Sequence, residues 1–370
     1  MSQPEEERSP GPGSPELAGD DPEERYKSFC AVVIDTGTSH TRSGLAGDEK
    51  PRSVVPSRVE GPRQQDDPGL GDGGSILTHG VVTDWDGLET LWHRVFYREL
   101  AVCPEELAVL VTDAPLSPAA NREKVAELLF ESFGVPAMLV LPRSLLAAYS
   151  YGRTSGLVVG SGAGTSYVAP ILDGYALPHA TFRLDVAGDA LTAYLGELRG
   201  ARGPPLPPDL LRQLKEHCCC CQLPGAPAPA PAVDFTLPDK RVVSVGSERF
   251  RCPEALFAPA AVGLPAEPGL AAQAARSLRR CGARRRGRLL ADVLLAGGTT
   301  LLSGFAERLG AELRDAAGAA AAGPAAGPRR RFAAWLGGSI AASLDAFQSA
   351  WIAQRAYGES GAAVVHRHCF

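Results

Sequence analysis

Residues Val158–Pro170 read VVGSGAGTSYVAP: an apolar strand, a turn of glycine and serine, and a second apolar strand. A hairpin of this kind aims successive backbone N–H groups at one point, and its small residues let an anion come close to them. Phosphate is a ligand that such turns can hold. Yet this turn carries Gly160 and Ala163, where a metal-dependent phosphotransfer site would place carboxylates. The chain could hydrolyse a nucleotide, hold one without reaction, or do neither.

Two more turns have the same character. DTGTSHTRSG follows the apolar run Val32–Ile34, and LLAGGTTLLSG follows DVLLA. A single glycine turn is weak evidence, because most such turns serve geometry alone; three in one chain, each after a strand, strengthen the anion reading. Between them the pattern alternates strands with amphipathic helices. RSGLAGD reads as the strand returning from the first turn, and LAVLVTDAP as a buried strand. DWDGLETLWHRVFYREL places Leu88, Leu91, Trp92, Val95, Phe96 and Leu100 at helical spacing, with Asp86 expected at the cap. NREKVAELLFESFG reads as a second amphipathic helix ending at Gly134.

The 370 residues suffice for two packed domains or one large domain with a deep cleft. With 45% hydrophobic residues, 21% charged residues and a net charge of −5, the chain has the balance of a soluble globular protein and not of a general nucleic-acid binder. No apolar run has the length of a membrane span, and the first residues are acidic and proline-rich, unlike a signal peptide. A cytosolic or nuclear location is expected, with the nine cysteines reduced. Residues 1–27 read as a disordered tail, Gly61–Ser75 as a surface loop, and PGAPAPAPA (224–232) and the alanine-rich stretch ending at Pro328 as low-complexity connections.

From about Phe29 to the last residue the chain resembles actin and the actin-related proteins. VIDTGTSHTRSGLAGDEKPRSVVPS, LVTDAPLSPAANREKVAELLFESFGVPAM, DGYALPHATFRLDVAGDALTAYL, ERFRCPEALF, LLAGGTTLLSGF, WLGGSIAASLDAFQ and the closing VHRHCF match actin in order. The divergence points to the actin-like proteins of the vertebrate male germ line. The resemblance implies an α/β, actin-like fold: two related domains, each around a five-stranded sheet, flanking a nucleotide cleft. It places an outer domain at 28–150 plus 333–370, with a small subdomain shortened at about 57–75. An inner domain follows at 151–332, with a subdomain insertion at about 187–257.

The resemblance also assigns the site. Asp35 matches the acid that acts on Mg²⁺ through water, and Thr38 the phosphate-facing serine of a first turn made by Asp35, Thr36, Gly37, Thr38 and Ser39. Arg42 stands for the phosphate-binding lysine, and Ser39 for a glycine beside the turn. Ser161, Gly162, Gly164 and Thr165 form the second turn. Lys215 and Glu216 match the pair near adenine and ribose, Gly297, Gly298 and Thr299 the adenosine turn, and Arg331 and Phe332 the last wall of the base pocket. ATP is the implied ligand.

Hydrolysis is not expected. Gly160 and Ala163 replace two acids of the second turn, Arg143 replaces the glutamine that orients the attacking water, and Tyr167 the histidine behind it. Phosphoryl transfer depends on positioning and on metal-assisted charge neutralisation, and both are diminished. These changes shift the cleft by about three charge units, worth several kcal/mol in a partly desolvated site. A positive cleft that holds polyphosphate with less need of Mg²⁺, and an empty cleft that kept only its backbone path, both remain open.

Filament assembly like actin's is not expected either. The docking loop is short, and AVGLPAEPG offers small side chains where actin has a plug. The partner cleft keeps Tyr149, Ile340 and Leu344 but has Ala341, Ala346 and Ala350 in place of larger groups. HCCCC (His217–Cys221) cannot converge on one metal ion, because neighbouring side chains point to different faces. The cluster RSLRRCGARRRGR (Arg276–Arg288) reads first as a solvated helix face, second as a nuclear-import signal or a patch for an acidic partner. The leading expectation is a non-catalytic structural or scaffolding subunit of cytoplasm and cytoskeleton with protein partners. The alternatives are a filament-forming ATPase and a nuclear subunit of a chromatin complex.

Overall fold

The apolar run at Val32 forms the strand Val32–Thr36, buried along its whole length. In the computed structural model, which describes residues 26–368 apart from 28, 60–73, 201–204, 224, 226–231, 239 and 318–322, the amino-terminal half is assembled around this strand. It pairs antiparallel with His40–Leu45 and parallel with Val109–Asp113. The sheet runs Ile352–Ala353, Ala137–Pro142, Val109–Asp113, Val32–Thr36, His40–Leu45, Ser53–Pro56.

Gly156–Ser161 occupies the corresponding place in the second sheet. It pairs antiparallel with Ser166–Leu172 and parallel with Val293–Ala296. Tyr175–Ala176 and Phe182–Leu184 both pair with Ser166–Leu172. Each sheet therefore repeats one plan, a glycine-turn hairpin whose first strand lies parallel to a later strand. The halves are related α/β units facing each other across a cleft.

Several expectations need correction. The first sheet has six strands, not five: the chain returns beside Ala137–Pro142 and buries Ile352 completely at the edge. The strand after the first turn begins at His40, ahead of RSGLAGD. Asp84, not Asp86, caps the helix Trp85–Arg94, because its extended backbone lets the carboxylate accept the Gly87 N–H at 2.9 Å. Asp86 lies in the first turn, where it meets the positive end of the helix dipole. Both predicted amphipathic helices finish in π-helical turns, Val95–Leu100 and Leu128–Ser132. Tyr26 is not part of a free tail, since its ring is buried in the first core. The tail up to residue 25, most of the loop Gly61–Ser75 and most of the Pro/Ala-rich stretch at 224–232 lie outside the described residues, as does part of the alanine-rich stretch.

Two large cores sit on the two sheets, one including Ile34, Leu110, Leu139 and Trp335, the other Val159, Leu195, Leu295 and Phe305. A third, smaller cluster joins them, where Leu145, Ala147 and Ala148 meet Val158, Tyr167, Leu294 and Ala333. The helices Arg143–Ser150 and Ala333–Ala342 pack closely at this junction: a Cβ on Gly337 would lie 1.7 Å from the Leu146 carbonyl oxygen. Gly337→Ala is accordingly expected to cost about 3 kcal/mol in chemical denaturation. Gly358→Ala, where open space surrounds the added methyl, should leave stability unchanged or slightly raised. Equal behaviour of the two variants would contradict this packing.

Candidate anion site in the interdomain cleft

The cleft takes its shape from turns that touch. A Cβ on Gly164 would lie 2.6 Å from Thr38 Oγ1, so the first and second hairpin turns meet across the two halves. Gly297, at φ +89°, sits where a Cβ would come within 2.2 Å of the Ser161 carbonyl oxygen, which locks the third turn against the second. The Gly162 carbonyl accepts from Thr299 Oγ1 at 2.6 Å and from the Gly188 N–H at 3.0 Å. The Ala163 carbonyl accepts from the Asp189 N–H at 2.8 Å. The carbonyls of the second turn are held by these bonds, and the backbone N–H groups of Thr38, Ser39, Ala163 and Gly164 make no backbone hydrogen bond among the described residues. Four such donors on two touching turns are what an anionic group needs.

Most of the residues expected at the site line the cleft together: Asp35, Gly37, Thr38, Ser39, Arg42, Ser161, Gly162, Gly164, Thr165, Lys215, Glu216, Gly297, Gly298, Thr299 and Arg331. Ala163, Arg143 and Tyr167 line it as well. Thr36 and Phe332 do not. Thr36 is buried, and its hydroxyl accepts from Trp92 Nε1 at 3.1 Å. Phe332 instead lies under two guanidiniums, Arg42 at 5.8 Å and Arg331 at 5.2 Å from its centroid. Lys215 is buried, with Nζ donating to the Gly188 carbonyl at 2.6 Å and Thr192 Oγ1 at 2.8 Å. It therefore steadies the start of the helix Gly188–Gly200, and burial lowers its pKa.

Asp35 is the centre of the site, and both its carboxylate oxygens have partners. Oδ1 accepts from Thr112 Oγ1 at 2.7 Å and Arg143 Nε at 3.0 Å, and Oδ2 from Arg42 Nη1 at 3.2 Å. Arg143 is further anchored by Nη2 to the Thr36 carbonyl at 2.9 Å. Burial of Asp35 opposes ionisation, but Arg143, Arg42 and the Thr112 hydroxyl outweigh it and hold the carboxyl below its ordinary range.

Gly160 and Tyr167 form a matched pair. They face each other across the second hairpin, and a Cβ on Gly160 would lie 2.2 Å from Tyr167 Cζ. The phenol, itself buried, fills the volume an acidic side chain at 160 would need, and burial raises its pKa. The two substitutions are thus one structural change.

Sequence reasoning missed several contributors. Arg212, Asp189, Gly188 and Arg330 also line the cleft. Arg212 stands one helical turn before Lys215 and Glu216, a spacing that could have revealed it. His40 lies on the lining too; burial first, then Arg42, Arg212 and Arg331, hold its pKa below the usual imidazole range, while Glu216 opposes them. His79, which carried no signal in the sequence, bridges the halves: Nδ1 meets the Gly164 carbonyl at 2.9 Å, and its own carbonyl accepts from Arg183 at 2.8 Å.

Elsewhere, Ile340 and Leu344 are exposed, while Tyr149 is half-buried with its ring edge on Phe347. Cys218 and Cys219 are buried in the second core, and no group of three potential metal ligands occurs among the described residues. In the arginine cluster, Arg276 and Arg280 stack on Phe182, and Arg288 pairs with Asp173 at 2.6 Å. No helix among the described residues is long and apolar enough to cross a membrane.

A family model described as actin matches residues 26–208 and 207–370. Actin-like protein 7B of Homo sapiens is 41% identical over 367 residues, covering 92% of this chain and 88% of its own length. The Mus musculus protein of that name is 40% identical over 373 residues, covering 93% and 89%. Actin-like protein 7A of Mus musculus is 39% identical over 373 residues, covering 94% of this chain and 84% of its own.

Proposed function

This chain belongs to the actin family, and from that premise we propose that it is a non-catalytic actin-fold subunit that holds ATP in the cleft and serves as a structural or scaffolding element. The family's fold is that of a divergent ATPase whose members typically bind nucleotide and act in protein complexes. One observation carries the non-catalytic reading: both Asp35 oxygens are engaged by guanidiniums, opposite a second turn whose acid positions are Gly160 and Ala163. The group that should attend the metal is neutralised, the glutamine that should orient water is an arginine, and the histidine behind it is a buried tyrosine. Each step that makes phosphoryl transfer fast lacks its residue.

Support for nucleotide retention comes from the four N–H groups of the two hairpin turns that make no backbone hydrogen bond among the described residues, and from the cationic lining. The proposed role is cytoplasmic and cytoskeletal, with protein partners and without actin-type filaments; the small residues Ala341, Ala346 and Ala350 beside Ile340 and Leu344 support a weakened helix-docking cleft. The division into an outer domain (28–150 plus 333–370) and an inner domain (151–332) is proposed on the same basis.

The test is to incubate the purified protein with ATP for hours, remove free ligand, and identify what is bound. Intact ATP at near-stoichiometric occupancy is expected. Recovery of ADP would overturn the non-catalytic reading, and recovery of no nucleotide would overturn retention.

A further inference from the structure

Magnesium requires near-octahedral oxygen ligands and is usually held through one or two carboxylates together with substrate phosphates. The residues present do not fit it. Asp35 has no oxygen without a cationic partner, and the positions that would add carboxylates are a glycine facing a tyrosine ring and an alanine. A dication near Asp35 would also stand beside two guanidiniums that the protein has already placed there. Those guanidiniums are built in: Arg143 and Arg42 side chains are only 16% and 18% exposed.

The same groups suit a different ligand. Six cations line the cleft, Arg42, Arg143, Arg212, Lys215, Arg330 and Arg331, against the carboxylates of Asp35, Asp189 and Glu216. Arg42 Nε is buried and has no hydrogen-bond partner among the described residues, although its Nη1 is engaged. A buried guanidinium N–H without an acceptor is costly, so the protein holds Arg42 in the cleft wall without satisfying it fully.

We propose that the cleft binds polyphosphate in its unchelated, metal-free form, with Arg42 and Arg143 supplying the positive charge that a divalent cation brings elsewhere. This rests on the nucleotide-holding reading above and specifies its ligand: free ATP or another linear polyphosphate, in preference to the magnesium complex. Chelated magnesium removes two charges from the ligand and adds repulsion against both arginines, so it weakens binding.

The experiment is isothermal titration of the purified protein with ATP, and separately with inorganic tripolyphosphate, in excess EDTA and in excess MgCl₂. Both ligands are expected to bind in EDTA, and MgCl₂ should weaken each by roughly tenfold. Arg331→Ala, at an exposed position that does not threaten the fold, should weaken both ligands in EDTA. Arg143→Gln should reduce or reverse the magnesium effect. ATP binding that is tighter with MgCl₂ overturns the proposal while leaving the nucleotide reading intact. Binding of ATP but not of tripolyphosphate in EDTA overturns the assignment to polyphosphate. Absence of ATP binding in both buffers overturns nucleotide retention along with it.

Discussion

Gly160→Asp is expected to be strongly damaging, lowering stability by about 3 kcal/mol or preventing folding. The reason is steric before it is electrostatic. A Cβ at 160 would overlap the Tyr167 ring, which is 4% exposed and packed in the cluster joining the halves. Swinging the ring toward the cleft would relieve the overlap only by withdrawing it from the cluster it shares with Leu145, Val158 and Leu294. Placing an acid at position 160 is therefore expected to destabilise the protein instead of activating it. The second substitution decides the matter: Gly160→Asp with Tyr167→His should recover at least about 1 kcal/mol relative to Gly160→Asp alone, because the smaller ring vacates the space. Urea denaturation of the two variants measures this. A Gly160→Asp protein as stable as wild type, or a double variant that merely adds the two penalties, would show that the ring does not occupy the acid's place.

Arg143→Gln should cost about 2–3 kcal/mol. Removing one partner of a buried ion pair is typically worth about 3–5 kcal/mol, and here Arg42 remains on the other oxygen. Asp35→Asn should also destabilise, since it leaves two largely buried guanidiniums facing a neutral group. The double variant should be less harmed than the sum, with a coupling of about 1.5 kcal/mol or more. Acid titration checks the same pair. The folded pKa of Asp35 lies below its ordinary value of 3.8, so its contribution is fully present above about pH 4 and is lost as pH falls through the depressed value. The stability gap between wild type and Asp35→Asn should therefore shrink only below about pH 4. Additive single variants, or a gap independent of acid, would contradict the ion-pair cluster.

The three glycine turns were legible because their residues are local: strand, small residues, strand. The strands and helices around them followed from apolar spacing, and the order of long motifs identified the family. The Gly160–Tyr167 relation was within reach, since counting outward across the four-residue turn Gly162–Thr165 pairs Ser161 with Ser166 and then Gly160 with Tyr167. What could not be read was the fate of Asp35. Arg143 lies 108 positions away, and only folding shows that its guanidinium meets the carboxylate instead of pointing to solvent. For the same reason the hydroxyl of Thr36 looked available until Trp92 claimed it. The edge strand Ile352–Ala353 was too short to carry a periodic signal, and the bridge made by His79 depends on contacts with Gly164 and Arg183 from the other half.

The central claim is that the cleft has exchanged metal-assisted chemistry for a fixed arginine–aspartate cluster. Its most direct test is phosphate release from saturating ATP and excess MgCl₂, followed over hours on protein whose nucleotide occupancy has been verified, with actin polymerised in parallel as a positive control. The account predicts release no faster than from ATP in buffer. Release above that background, abolished by Asp35→Asn, would contradict it.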